Sequence, residues 1–294
     1  MSIVADTFRY ARSLSKGIAR GDLFPTAGRS GPHPAPGGSH RPRRRGGPLR
    51  RALREARWFD EAIHQMTVPG LHEPLEILHI TDVHLAAMAP WVEQLRAALT
   101  ALRAPDILVI TGDLVTRGWE PATVDRFLSG LPQARLGRFA ILGNWEHWSG
   151  ATGPEWSERL ARHGVQLLVN EAAHAGPLRI VGTDDHLAGD ADVTELLAQS
   201  TGPTVVLTHS PAYFPKVVHP HVALVLAGHS HAGQWRIPGL GVPWVPKGTG
   251  IFVAGWYEQA NTWLHVSPGL GWSIAPVRLW CPPEMSRIRL HPGG

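Results

Sequence analysis

Short apolar, β-branched runs recur along this chain, and each stops at a glycine or a polar residue: Ile77 to Ile80, Ile107 to Ile110, Phe139 to Leu142, Val205 to Leu207 and Val222 to Leu226. Runs of this kind, bounded by Gly, Pro or polar side chains, predict buried strands. Leu178 to Val181, Gly250 to Ala254, Trp263 to Val266 and Arg287 to Leu290 are further strand candidates. Between the runs, apolar residues return at helical spacing over Pro90 to Arg103, Pro121 to Leu131, Glu155 to His163 and Val193 to Gln199. Strands that alternate with helices predict an α/β layered fold. The Pro/Gly-rich stretch from Pro238 to Gly250 reads as a long surface loop.

Upstream of Pro74 the pattern changes. Ile3, Val4, Phe8, Tyr10, Leu14 and Ile18 recur loosely at helical spacing among Arg9, Arg12, Lys16 and Arg20, which predicts a short basic amphipathic helix. Gly28 to Leu49 is rich in Gly, Pro and Arg and offers too little apolar surface to offset the entropy of ordering it, so it reads as a linker. Pro48 to Ile63 is again compatible with a helix, made cationic by Arg50, Arg51, Arg54 and Arg57. The chain therefore divides into a basic arm, residues 1–57, and a larger domain, residues 58–294.

Charge follows the same division. Residues 1–57 carry 13 Arg or Lys against Asp6, Asp22 and Glu55, while the remainder carries 15 basic and 21 acidic side chains. The net +4 thus belongs to the arm. Arg41, Arg43, Arg44, Arg45, Arg50 and Arg51 read either as a solvated segment or as a binder of anionic lipid headgroups or nucleic-acid phosphates. Gly28 to Glu55 contains no Phe, Trp or Tyr to stack on bases, and the acidic balance of the domain opposes a broad DNA surface. Nucleic acid is therefore not an expected partner, and an anionic membrane surface is. Cys281 is the sole cysteine, so no intrachain disulfide forms. No apolar run approaches the 18 or so residues of a membrane-spanning helix, and the first residues lack the apolar core of a secretory signal. These absences predict a cytoplasmic setting, peripheral on the inner face of the membrane if the arm binds lipid.

The residues that end the five principal runs carry the chemistry: Asp82-Val83-His84, Gly112-Asp113, Gly143-Asn144, His209 and Gly228-His229-Ser230-His231. If the strands lie side by side, their ends bring these side chains to one rim. Residues two apart in an extended segment share a face, so Asp82 with His84, and His229 with His231, suit chelation. Asp113 has two carboxylate oxygens and stands where it could bridge two cations. The donors are imidazole nitrogens, carboxylate oxygens and one amide oxygen without thiolate, a set suited to Mn, Fe or Zn. Two cations roughly 3.5–4 Å apart clamp a phosphate and lower the pKa of bound water to about 7. Hydrolysis of a phosphate ester or pyrophosphate is the reaction such a site serves.

Taken in order, the fragments resemble the calcineurin-like metallophosphoesterase family, whose motifs run D-x-H, G-D, G-N-H-D/E, H and G-H-x-H. The resemblance runs from about Pro74 to Leu290, because His231-Ala-Gly-Gln234 and Arg278-Leu-Trp-Cys-Pro-Pro-Glu284 look like the tail of one bacterial branch. That branch includes membrane-surface phosphodiesterases and enzymes that cleave UDP-2,3-diacylglucosamine. The resemblance implies a four-layer α/β/β/α sandwich with its metal site at the carboxyl ends of the strands. It implies two divalent ions, manganese before iron or zinc. Asp82, His84, Asp113 and His231 would hold one ion, and Asp113, Asn144, His209 and His229 the other. It also implies catalytic roles for Asp113, Asn144 and His229.

Trp145 stands where most family members have a histidine that protonates the leaving group. The lipid-hydrolase members also lack it, and a pyrophosphate leaving group depends less on a proton donor. His147, two residues on, is the replacement candidate. The expected substrate is therefore a phosphodiester or pyrophosphate, with a lipid-linked nucleotide such as a UDP-acyl sugar foremost. A nuclease or cyclic-nucleotide phosphodiesterase and a metal-binding scaffold with little catalysis are the competing readings. Among other residues, His79 reads as structural. Asp184 and Asp185 read as cleft residues or as a solvated turn. Trp145, Trp148 and Trp235 read as an apolar wall for an acyl chain or nucleobase, or as simple packing.

Overall fold

Within β2 (Leu75–Ile80) successive side chains face opposite ways: Leu75 and Ile77 enter one apolar core, Leu78 and Ile80 another. The same division recurs in β3 (Ile107–Thr111), where Ile107 and Val109 oppose Leu108 and Ile110. A strand that is apolar on both faces must be covered on both, and this requirement organises the molecule. The computed structural model describes residues 59–86, 90–236, 241–273 and 276–293, with Leu53 and Ala56. The amphipathic helix and linker expected in the basic arm lie outside the described residues.

Two six-stranded sheets are built. The first has the order β1 (Asp60–Pro69), β12 (Glu284–Gly293), β2, β3, β4 (Gly137–Ile141) and β5 (Gln166–Leu167). The second has the order β10 (Gly255–Gln259), β11 (Thr262–Val266), β9 (Val222–Ala227), β8 (Thr204–Leu207), β7 (Leu178–Gly182) and β6 (Glu171–Ala175). β2 to β5 run parallel, as do β7, β8, β9 and β11; β12 is antiparallel to β2, β6 to β7, and β10 to β11. Ile77, Val109 and Phe139 of the first sheet meet Ile180, Val205 and Leu224 of the second in a shared core.

Helices cover the two outer faces. α1 (Pro90–Thr100), α2 (Pro121–Leu128) and α4 (Gly153–Arg162) lay Leu95, Phe127 and Trp156 on the first sheet. α5 (Thr194–Ala198) and a 3-10 turn over Pro211–Lys216 lay Leu197 and Phe214 on the second. Each such side chain contributes about 1.5–3 kcal/mol by leaving water. The layers are α/β/β/α, as the motif resemblance implied. α3 (Asn144–Trp148) is a single turn that follows β4 directly.

Three of the four helices expected after Pro74 hold with shorter ends, the one expected over Glu155 to His163 runs from Gly153 to Arg162, and two local expectations are corrected. Pro48 to Ile63 was expected to be helical, yet Asp60 to Ile63 open β1, which pairs in parallel with β12 over ten residues. Inward Met66 and Val68 flank outward Thr67, the period of a strand rather than a helix. Gly250 to Ala254 was expected to be a strand, yet pairing begins only at Gly255. The Tyr257 hydroxyl accepts the N–H groups of Val253 and Ala254, so a side chain takes the place of a neighbouring strand.

Candidate metal centre

Every chemical fragment lies just past the carboxyl end of a parallel strand: Asp82 and His84 after β2, Asp113 after β3, Asn144 after β4, His209 after β8, His229 and His231 after β9. Open α/β sheets bind ligands at this end, and here two sheets present their ends together. The chain turns sharply there. Asp82, His84, Asp113, His229 and His231 all adopt positive φ, between 50° and 65°. Non-glycine residues avoid this region, and each such position costs on the order of 1–3 kcal/mol. The turn redirects each side chain from the sheet face to the rim.

The side chains converge in two groups, Asp82 with His84 and His231, and Asp113 with His209 and His229, each with ligand atoms within 4.8 Å of one another. Asp113 joins the groups: its Oδ2 lies 3.2 Å from His209 Nε2 and 3.7 Å from His84 Nε2. In the first group His84 Nε2 faces His231 Nε2 at 2.9 Å, and Asp82 Oδ1 lies 3.5 Å from His231 Nε2. In the second, His209 Nε2 faces His229 Nδ1 at 3.2 Å. Asn144 is buried at the start of α3 with its Oδ1 unpartnered, and the next N–H, from Trp145, donates to Asp113 Oδ1 at 2.9 Å.

The donors fit a pair of cations on two counts. Two imidazoles are oriented through their outer nitrogens: His209 Nδ1–H donates to the Thr111 carbonyl at 2.7 Å, and His229 Nε2–H to the Lys247 carbonyl at 2.6 Å. Outer-nitrogen bonds of this kind fix the tautomer that leaves a lone pair facing a metal. Protonation is the second count, for His84, His229 and His231. Burial holds His84 down at about 4, despite the opposing charge of Asp113. Burial, reinforced by neighbouring imidazoles, also holds His229 and His231 below the ordinary range. Burial opposes both charges of the His209–Asp113 pair, but their mutual attraction prevails, raising the imidazole and lowering the carboxyl. Burial raises Asp82, with Asp113 adding to it while His209 opposes. A concentration of buried acids and imidazoles this tight needs positive charge to persist.

Several residues that build the site were given no role in it from sequence. Glu146 is buried, and its carboxylate accepts the N–H groups of Asp113 and Gly143 at 2.8 and 2.7 Å and that of Val115 at 3.2 Å. It locks the end of β3 to the end of β4, and burial raises its pKa, with Asp113 adding to the rise. A glutamate three residues after a helix cap was the available signal. Arg278 is buried and donates to the Gly271 and Pro268 carbonyls at 2.8 Å, fixing the loop whose Gly271 N–H donates to the Asp82 carbonyl. The Cys281 thiol donates to the His231 carbonyl at 3.2 Å. Arg278 and Cys281 fall in the Arg278 to Glu284 stretch that carried the family resemblance, but nothing in that stretch indicated these bonds.

The remaining candidates are placed as follows. His147 is in neither ligand group; its Nε2 meets Asp184 Oδ1 at 2.7 Å. That hydrogen bond raises its pKa against the opposing effect of burial. Asp184 and Asp185 form a buried turn rather than a solvated one: Asp185 Oδ2 accepts the N–H groups of Leu187 and Ala188, and Asp184 Oδ2 that of Asp190. His79 is structural as expected, bonded to Thr111 Oγ1 at 2.8 Å. The Trp145 ring stands edge-on to His84 at 6.0 Å and to Trp148 at 5.7 Å, and both Trp148 and Trp235 are exposed. The loop after residue 240 reaches the site through the Lys247 carbonyl.

An α/β/β/α sandwich with paired Asp/His groups on one rim defines a metal-dependent phosphoester hydrolase. The chain belongs to the calcineurin-like phosphoesterase family, whose model matches residues 75–233. It is 26% identical over 246 residues to the uncharacterized metallophosphoesterase YkuE of Bacillus subtilis, covering 79% of this chain and 84% of that one. It is 29% identical over 245 residues to the phosphodiesterase YaeI of Escherichia coli, covering 80% and 90%. Among solved structures, the protein TT1561 of Thermus thermophilus aligns with a TM-score of 0.44 at 14% identity, covering 67% of this chain and 91% of that one. Among the described residues no helix is long and apolar enough to cross a membrane.

Proposed function

We propose that this hydrolase is a binuclear phosphodiesterase or pyrophosphatase whose substrate is a lipid-linked nucleotide of the UDP-acyl-sugar kind. The position of Asp113 Oδ2 between the two ligand groups is the observation that carries the binuclear reading. Asp82, His84, Asp113 and His231 would hold one divalent ion, and Asp113, Asn144, His209 and His229 the other, with manganese the favoured metal. Such ions supply Lewis-acid neutralisation of the phosphate and a nucleophile at neutral pH. The chain's own residues do the rest. Asp113 fixes the spacing, Glu146 holds Asp113 and Asn144 at one rim, and Trp145 with Trp148 offers an apolar flank for an acyl chain. The name of YaeI supports a diester over a monoester.

His147 is the proposed leaving-group acid, kept protonated by Asp184. Replacing it with glutamine is expected to lower kcat on an alkyl diester by about 10²-fold, the lower end for general acid catalysis. A nitrophenyl ester, whose leaving group needs no proton, should change far less. Asp184 raises the His147 pKa, so Asp184→Asn should bring the alkaline fall of kcat to lower pH. Equal losses on both esters would remove His147 from proton transfer. Comparing a phosphomonoester, a phosphodiester, a UDP-linked acyl sugar, and single-stranded and duplex DNA on the manganese-loaded protein tests the substrate. Preference for the acyl sugar upholds the reading; preference for DNA replaces it with a nuclease, and no turnover at all with a scaffold.

The basic arm is the proposed membrane contact, where its apolar residues Ile3, Phe8 and Leu14 and its polybasic stretch would add their affinities. Deleting residues 1–57 should abolish sedimentation with vesicles containing phosphatidylglycerol while leaving turnover of a soluble ester intact. Sedimentation that survives the deletion would place the contact elsewhere.

A further inference from the structure

A third convergence of ligand-type side chains lies away from the rim just described. His64 on β1 and Glu284 at the start of β12 belong to the first sheet, and His265 on β11 belongs to the second. Their ligand atoms lie within 4.8 Å of one another. His64 Nε2 is 3.3 Å and His265 Nε2 4.0 Å from the same oxygen, Glu284 Oε1. A tetrahedral ion with bonds of about 2.0–2.1 Å holds its donors roughly 3.3–3.4 Å apart. The His64–Glu284 pair already has this spacing, and the His265–Glu284 pair, at 4.0 Å, must close by about 0.6–0.7 Å.

The chemistry points the same way. His265 is 2% exposed, and its Nε2 is the nitrogen that faces Glu284. Burial, with His64 and His79 adding to it, keeps its pKa well below the ordinary value, so the ring is in its neutral, ligating form. Among the described residues, Glu284 has only these two histidines as ion-pair partners. The Ser286 hydroxyl donates to Glu284 Oε1 at 2.7 Å and aims it.

We propose that His64, His265 and Glu284 bind one divalent cation of the zinc class, separate from the pair at the rim, and that this ion ties the two sheets together. Two imidazoles and one carboxylate are a zinc-type donor set rather than a magnesium one, with solvent in the fourth position. Binding requires one rearrangement. Trp256 Nε1–H donates to His64 Nδ1 at 3.3 Å, which leaves the His64 proton on Nε2, facing Glu284. The cation takes the Nε2 lone pair, that proton moves to Nδ1, and the indole N–H turns away. Loading should therefore change Trp256 emission, a signal that Trp256→Phe removes.

The test counts ions in the full chain after stripping. Cobalt(II) and zinc are titrated into Asp82→Asn/Asp113→Asn/His209→Gln/His231→Gln, in which both rim groups have lost two ligands or more, with content read by elemental analysis and cobalt by its visible spectrum. One equivalent with a tetrahedral cobalt band should remain, and adding His64→Gln should remove both. Zinc should also raise the melting temperature of the rim variant by several degrees, and not once His64 is replaced. His64 is the residue changed because it is partly exposed; Glu284→Gln, checked for folding by circular dichroism, is the second variant. A rim variant that binds no tetrahedral cobalt, or an equivalent unmoved by His64→Gln and Glu284→Gln alike, would overturn the proposal. Because the count is made without the rim, it stands or falls independently of the proposed reaction.

Discussion

Asp113→Asn is expected to cut kcat by about 10³-fold or more, the upper end for losing one electrostatic contact to a transition state. The geometry makes this residue the least replaceable. Its Oδ1 accepts the Trp145 N–H, while its Oδ2 alone stands between His209 and His84. An asparagine keeps the first contact by pointing its carbonyl at Trp145. Its amide then presents two N–H groups where the second oxygen stood, and a donor cannot ligate a cation. The backbone bonds from Glu146 remain, so the fold should survive. Metal content and kcat, measured on the same preparation with circular dichroism as the control, check this. Undiminished turnover would remove the bridging carboxylate from the mechanism.

Gly112→Ala should produce the largest loss of stability, about 2–4 kcal/mol in urea denaturation. Two costs combine. The residue has φ of 86°, a conformation in which a side chain is strained. An added Cβ would also lie 2.7 Å from Gly143 Cα and 2.9 Å from His209 Nδ1, and overpacking of this kind costs about 1–3 kcal/mol. The second contact displaces His209 from its bond to Thr111, so activity should fall with stability. Gly118→Ala separates the two costs: Gly118 has φ of 74° but nothing within 4 Å of an added Cβ. It should lose only the strain, about 1 kcal/mol, and leave activity unchanged. Equal losses at the two positions would mean that crowding around His209 contributes nothing.

The central strands were legible in the sequence because they are apolar on both faces. Ile77 to Ile80 or Val222 to Leu226 can only be buried, and the polar residue that ends each run marks the rim. The edges were not legible for the complementary reason. Glu171–Ala175 and Asp60–Pro69 carry polar residues on a half-exposed face, and their short-range pattern does not separate strand from loop. The residues that converge at the rim were readable as well, since Asp, His and Asn stand at the ends of the buried runs. What held them was not. The Lys247 and Thr111 carbonyls orient His229 and His209 through backbone atoms, which any residue type supplies. Glu146 shows the intermediate case: its spacing after Gly143 was visible, but its bonds to Asp113 and Val115 cross between strands. His147 was visible as a nearby imidazole, and only the fold reveals Asp184 beside it.

The left-handed backbone at Asp82, His84, Asp113, His229 and His231 sets a limit on how this protein can be made sturdier. Glycine at any of the five would relax the main chain and delete a donor in the same stroke, so the usual remedy for such turns is closed wherever chemistry is done. Heat resistance must then be gained at a distance, in the helical layers under Leu95, Phe127 and Trp156.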